Sequence, residues 1–405
     1  MSSKFINTIV ILLLAIYTFD FVKYCIYKPN NLDYFDAELL INYSSGFIRR
    51  GLLGELFKYV HLYTHIPILY LTKIFSIIAY SSLIIYFIAS FYKKRISLFF
   101  LLLPSGLFFL LLDNRIRFRD SLLLLLIIII CKIISLKKIE TFYKYFFTSI
   151  IISLGTLLHE MFFFYTVPFF ALYAFLNKIK YTYISLFILP IFTLAFVTFF
   201  HGSENSGYII FEDLKKIIPN GDFSNELPFS LRAINTEAES LIFENFKQMN
   251  IGFSRGLMYI IYFFSLIICF SRYKDLNIKV FGITNHTYIQ SKDILFYFLI
   301  QILATIPLFF VAVDWQRFIN FSILSSFIFC IELKPLNYKA ITNINLIFNK
   351  IISRYFIPKN KGLTILFSTV ILVPHLKLGN LDYLYTNSYL LIFNLFSKIL
   401  YFSFS

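Results

Sequence analysis

Apolar runs long enough to leave water altogether recur along this chain, among them Ile9–Ile16, Leu122–Ile130 and Tyr183–Phe200. A hydrocarbon core takes about 20 apolar residues per helix, with ~17 as the short limit. Lipid offers backbone groups no hydrogen bonds, so only helices or closed barrels cross it. A barrel would need short segments of alternating polarity, whereas these runs are apolar all round. The pattern predicts an all-α fold, a polytopic transmembrane helical bundle. Spans are expected near 5–22, 67–92, 96–112, 121–136, 143–158, 161–176, 181–199, 252–270, 293–312, 319–333, 363–376 and 383–401. That is about twelve helices, several of them near the short limit. Residues 1–405 read as a single integral membrane domain, with 201–251 as the longest extracytoplasmic loop. Lys23, Tyr24 and Tyr27 follow the first apolar run where a small-residue cleavage site would stand, so that helix is expected to stay uncleaved.

The chain is 59% hydrophobic with a mean hydropathy of +0.75, yet it carries a net charge of +15. The positive charge does not point to nucleic acid, because it is spread over short connections rather than gathered in a patch. Lysine dominates Lys93-Lys94-Arg95, Lys132 to Lys144, Asn177–Lys180, Arg272–Lys279 and Lys334–Lys361. These connections alternate along the chain, as the positive-inside rule requires if they and both termini face the cytoplasm. An apolar stretch at 341–357 is expected to lie on the membrane surface. Cys25, Cys131, Cys269 and Cys330 lack metal-ligand spacing and lie in or beside apolar runs, which argues against a disulfide framework or a zinc site.

The opposite connections have a different chemistry. In the first, Asp33, Asp36 and Glu38 precede Gly46-Phe47-Ile48-Arg49-Arg50-Gly51 and then Gly54-Glu55. Arg49 and Arg50 run against the positive-inside rule and need compensation. Asp36 or Glu38 could neutralise them on an interfacial helix, or carboxylates and guanidiniums could line a site together. Arginine suits phosphate oxygens because its fork donates two hydrogen bonds at once. The second motif is Asp113-Asn114-Arg115-Ile116-Arg117-Phe118-Arg119-Asp120. On a helix Asp113 would meet Arg117, and Arg115 would meet Arg119; a solvated salt-bridged turn stands beside a phosphate site here. His159-Glu160 joins two apolar runs with almost no loop, and both are acid–base groups as well as plausible helix caps. Asp314 and Arg317 repeat the theme three residues apart, beside Trp315, a natural interface anchor. Lys73 is the main charge that falls inside an expected span.

In architecture the whole chain resembles the Wzy-type O-antigen and capsule polysaccharide polymerases, with its many spans, Ile/Phe-rich body, one longer outer loop and outer arginines. It is also similar to GT-C glycosyltransferases, whose acidic motif lies in the first outer loop, the region of Asp33, Asp36 and Glu38 here. The resemblance implies a bacterial cytoplasmic-membrane enzyme that joins oligosaccharide repeat units carried on undecaprenyl pyrophosphate. It implies Asp36 as the leading candidate base, with Glu38, Glu160 and His159 as the others. Arg49, Arg50, Arg115, Arg117, Arg119, Asp314 and Arg317 would hold substrate. No cofactor, metal or nucleic acid is implied, arginines standing in for a metal; membrane lipid and a chain-length regulator protein are the expected partners. A flippase for the same lipid-linked sugars is the alternative, although transporters place polar groups near the midplane.

Overall fold

The computed structural model describes residues 3–27, 34–93, 116–200, 205–218, 227–232, 291–311 and 315–333, with a few residues between them. The described residues are mostly helical and contain no strand. In chain order the helices are α1 (Ser3–Tyr27), α2 (Tyr34–Leu39), α3 (Gly51–Thr64), α4 (Ile68–Lys93), α5 (Ser121–Ser135), α6 (Thr141–Leu158), α7 (Met161–Leu176), α8 (Tyr181–Phe199), α9 (Ser206–Ile217), α10 (Phe229–Arg232), α11 (Ser291–Val311) and α12 (Trp315–Glu332). A π-type turn, Ile116–Asp120, leads into α5.

Among the described residues four helices are long and apolar enough to cross a membrane: α1 over Val10–Tyr27, α4, α6 and α8. Met161–Leu176 and Phe296–Phe310 are apolar but shorter. The expected spans 96–112, 252–270, 363–376 and 383–401, and the surface stretch 341–357, lie outside the described residues. The segment 201–251, expected as a plain loop, contains α9, whose Ile210, Phe211 and Leu214 are buried on one side. Their spacing is that of one face of an amphipathic helix, and this face is buried.

Helix α5 sits at the centre, packed against α4, α6 and α12. Its composition fits the position, since a helix apolar all round belongs in a protein core or in lipid. Leu123, Leu124, Ile127, Ile130 and Cys131 are fully enclosed. A second layer of α7, α11 and α12 is tied by aromatic contact and hydrogen bonds. Phe169 stacks on Phe329 at 3.6 Å, the Tyr165 hydroxyl donates to the Phe318 carbonyl at 2.8 Å, and Gln301 donates to the Tyr165 carbonyl at 2.9 Å.

The bundle has two chemically distinct ends. At one, Tyr86 donates to Glu332 at 2.8 Å, Ser135 donates to the Glu332 carbonyl at 2.7 Å, and Lys132 lies over the Tyr86 ring. The other end gathers the starts of α4, α5, α7 and α12 together with the segment 34–51. It holds the arginines.

Candidate functional site

Helix α2 is only six residues long, and it faces two ways. Residues two apart on a helix point to opposite sides, so Asp36 and Glu38 serve different neighbours. Asp36 turns toward α4, where the Thr72 hydroxyl donates to it at 2.7 Å and Lys73 Nζ stands 3.7 Å away. Lys73, the charge inside an expected span, therefore has a carboxylate beside it. Both are buried.

Glu38 turns the other way, into three guanidiniums. Its Oε1 lies 3.3 Å from Arg119 Nη1, 3.8 Å from Arg50 Nη1 and 3.8 Å from Arg317 Nη1. Arg119 also donates through Nη2 to the Glu38 carbonyl. Burial alone would hold the Glu38 proton on. Arg119, Arg317 and Arg50 together outweigh it and bring the carboxyl down to about 2.

Arg317 and Arg50 each have a fork partner as well. Arg317, near the start of α12, donates to both oxygens of Asp120, at 2.9 Å from Nε and 2.6 Å from Nη2. Arg50 donates to Glu160 through Nε at 2.9 Å and also through Nη2. Two-point contact of this kind is the strong geometry for guanidinium and carboxylate. Burial opposes the charge on Glu160, and Arg50 and His159 more than offset it, so its carboxyl stays well below the ordinary range.

Local backbone chemistry aims these side chains. Arg50 adopts φ 66° and ψ 6° ahead of α3, a left-handed conformation that costs a non-glycine residue about 1–2 kcal/mol. Glycines behind it make the approach close: a Cβ on Gly54 would enter the backbone of Leu40 and Ile41, and one on Gly51 would enter the Tyr43 ring. Tyr43 is held in turn, its N–H donating to Glu55 at 3.0 Å. His159 is extended between α6 and α7 (φ −163°, ψ 123°), which turns the chain within two residues and leaves Glu160 at the start of α7. The His159 Nδ1 lies 3.2 Å from the Met161 N–H and 3.4 Å from Glu160 Oε2. Burial first, and Arg50 second, push this imidazole down to about 3, so it is neutral near neutral pH. Its buried Nε2 has no hydrogen-bond partner among the described residues.

The network thus unites Glu38, Arg50, Arg119, Asp120, Glu160, Arg317 and His159 from five segments of the chain. Three arginines meet three carboxylates, so the group is charge-balanced while His159 is neutral. It is also graded in depth. The Arg50 and Glu160 side chains are 21% and 20% exposed, whereas those of Glu38, Arg119 and Asp120 are 5% or less. Arg49 lies beside this outer edge and donates to the Ile234 carbonyl at 3.4 Å. Arg115, Asp314 and the Arg117 side chain lie outside the described residues. Asp120 is the member that reading motif by motif passes over, because its partner lies 197 residues away. Among the described residues no group of three His, Cys, Asp or Glu side chains could hold a metal ion. No family model, curated protein or solved structure matches this chain.

Proposed function

We propose that this chain is a membrane glycosyltransferase that joins oligosaccharide repeat units borne on undecaprenyl pyrophosphate, acting at the membrane face that carries the arginine network. The observation that supports it most is the pairing of Arg50 with Glu160 at the exposed edge of a deeper Arg119–Glu38–Arg317 group. A pyrophosphate arriving at this edge competes with Glu160 for the Arg50 fork. Once released, Glu160 loses the charge that depresses its basicity. It then accepts the proton of an acceptor sugar hydroxyl. The hydroxyl oxygen bonds to the anomeric carbon of the donor, and the bond from that carbon to the pyrophosphate breaks. The leaving group keeps the electron pair, and Arg50, Arg119 and Arg317 hold its growing negative charge.

In this proposal the protein is a multi-pass bundle of about twelve spans in a bacterial cytoplasmic membrane. Both termini are cytoplasmic, the arginine network is outside, and a chain-length regulator is a partner. Asp36 becomes a support for Lys73, and the base role passes to Glu160. The test is electrophoresis of surface glycan from a deletion strain. Single repeat units without long chains are the expected product. Loss of every surface repeat unit would instead identify a flippase, since export precedes polymerisation.

A further inference from the structure

Helix α3 has two apolar faces, and among the described residues only one of them is buried. Leu53, Gly54 and Phe57 are buried on the inner face, with Phe57 packed edge-on to Phe75 of α4 at 5.3 Å. Leu56, Tyr59, Val60 and Tyr63 follow the i, i+3, i+4, i+7 spacing of a second face. All four are exposed, Tyr63 by 83%, and Leu62 and Ile66 extend the same surface. The charged residues of α3 stay off this face: Lys58 reaches Asp213 at 2.7 Å, and Glu55 accepts from the Tyr43 backbone. Contiguous apolar surface of this kind does not ordinarily face water.

What covers it is indicated by its neighbour. After the short link His65–Pro67 the chain enters α4, a helix long and apolar enough to span the membrane. The exposed apolar residues of α4 include Tyr70, Ile74, Ile78, Ile85 and Tyr92, spaced four or seven apart as one outward stripe. Helix α3 packs on α4, so its exposed apolar face and this stripe belong to neighbouring helices. Its tyrosines suit the boundary between acyl chains and headgroups, and Lys58 turns its ammonium away from the apolar side, as amphipathic side chains do at such a boundary.

We infer that the Leu56–Tyr59–Val60–Tyr63 face of α3 is a lipid-contact surface, seated in the leaflet at the arginine end of the bundle. Arg50 immediately precedes this helix, so the Arg50–Glu160 edge stands beside the lipid. A ligand anchored in that leaflet reaches it by moving in the plane of the membrane; this last step alone rests on the transferase proposal.

The test uses the full chain in phospholipid vesicles. Nitroxide labels are placed singly at Leu56→Cys, Tyr59→Cys and Tyr63→Cys in a background with the native cysteines changed to serine. Ile78→Cys serves as the lipid control and Glu212→Cys as the water control. Collision with oxygen and with a water-soluble nickel chelate is then measured. The α3 labels should match Ile78→Cys, favouring oxygen. Access to the nickel chelate equal to that at Glu212→Cys would overturn the inference. Exclusion of both quenchers would also overturn it, by showing a protein cover such as a second copy. A photo-crosslinking residue at Tyr59 of the chain with its cysteines intact gives an independent reading, with lipid adducts expected and protein adducts contrary. Lipid contact by α3 with no effect of Arg50 substitutions on glycan would separate this inference from the transferase proposal.

Discussion

Arg50 and Glu160, 110 residues apart in sequence, meet through two guanidinium nitrogens at the most exposed edge of an otherwise buried charge network. Lysine at position 50 keeps the charge but loses the fork. Arg50→Lys should insert normally while polymer formation falls by about 100-fold, the scale of losing one oriented donor at a site of developing charge. Glu160→Gln should do the same, because an amide cannot take the proton. Glycan chain length on gels, scaled to membrane protein level, measures both. Long chains of ordinary length in both variants would leave the pair a structural tie.

The deeper pair behaves differently. Asp120 and Arg317 are both buried, and removing one charge leaves the buried network unbalanced. Asp120→Asn should lower stability by about 3–5 kcal/mol, whereas the double change Asp120→Leu with Arg317→Met should recover much of it. Thermal unfolding of the detergent-solubilised protein followed by size-exclusion chromatography measures this. A single variant as stable as the parent would show that the fork contributes little.

Acid should weaken the fold in two stages. Burial and Arg50 bring His159 from 6.5 down to about 3. Below pH 6.5 the unfolded chain therefore takes up a proton that the folded chain refuses, and stability falls. Glu38 goes from 4.5 down to about 2, so the stability from its arginine contacts is complete above 4.5 and is lost as pH falls from there toward 2. His159→Gln should flatten the melting-temperature profile between 6.5 and 4.5, and Glu38→Gln should act on the steeper limb below. A single limb unaffected by His159→Gln would contradict the assignment.

Two glycines should fail for different reasons. A methyl at Gly51 meets the Tyr43 ring, which a smaller side chain at 43 would relieve. At Gly54 it meets the Leu40 and Ile41 backbone. Gly54→Ala should cost about 1–3 kcal/mol through overpacking, with no rescue by Tyr43→Ala, whereas Gly51→Ala should be rescued by it. Equal rescue in unfolding measurements would argue against the close approach.

Orientation is open to reporter fusions. Those after Lys137 and Lys178 should report cytoplasm and one near Ser206 the outside, following the lysine bias. A cytoplasmic signal at Ser206 would move the arginine network to the wrong face for the proposed reaction.

The helices were legible because their signal is local. Spans read at 67–92 and 143–158 correspond to Ile68–Lys93 and Thr141–Leu158. The members of the network other than Asp120 are legible as well, since arginine beside carboxylate at a span end is conspicuous. Their partners are not. Asp120 looked like part of a self-neutralising turn, and Lys73 like a charge out of place, until packing brought Arg317 to one and Asp36 to the other. Asp36 and Glu38, two residues apart, read as alternative partners for the same arginines, with Asp36 the leading base; the short helix that carries them sends one to a lysine and the other to arginines.

The turn before α5 has a consequence for how the gene can vary. Phe118 leaves helical geometry there (φ −108°, ψ −118°) while its ring stacks on Phe35 at 4.6 Å. The two residues after it, Arg119 and Asp120, both enter the network, one meeting Glu38 and the other Arg317. Sliding the chain by one residue would set anion against anion at Glu38 or cation against cation at Arg317. A single-codon deletion in this turn therefore does more than shorten a loop, because it inverts the local charge code. The register of α5 in the bundle is set by charge pairing as well as by apolar packing.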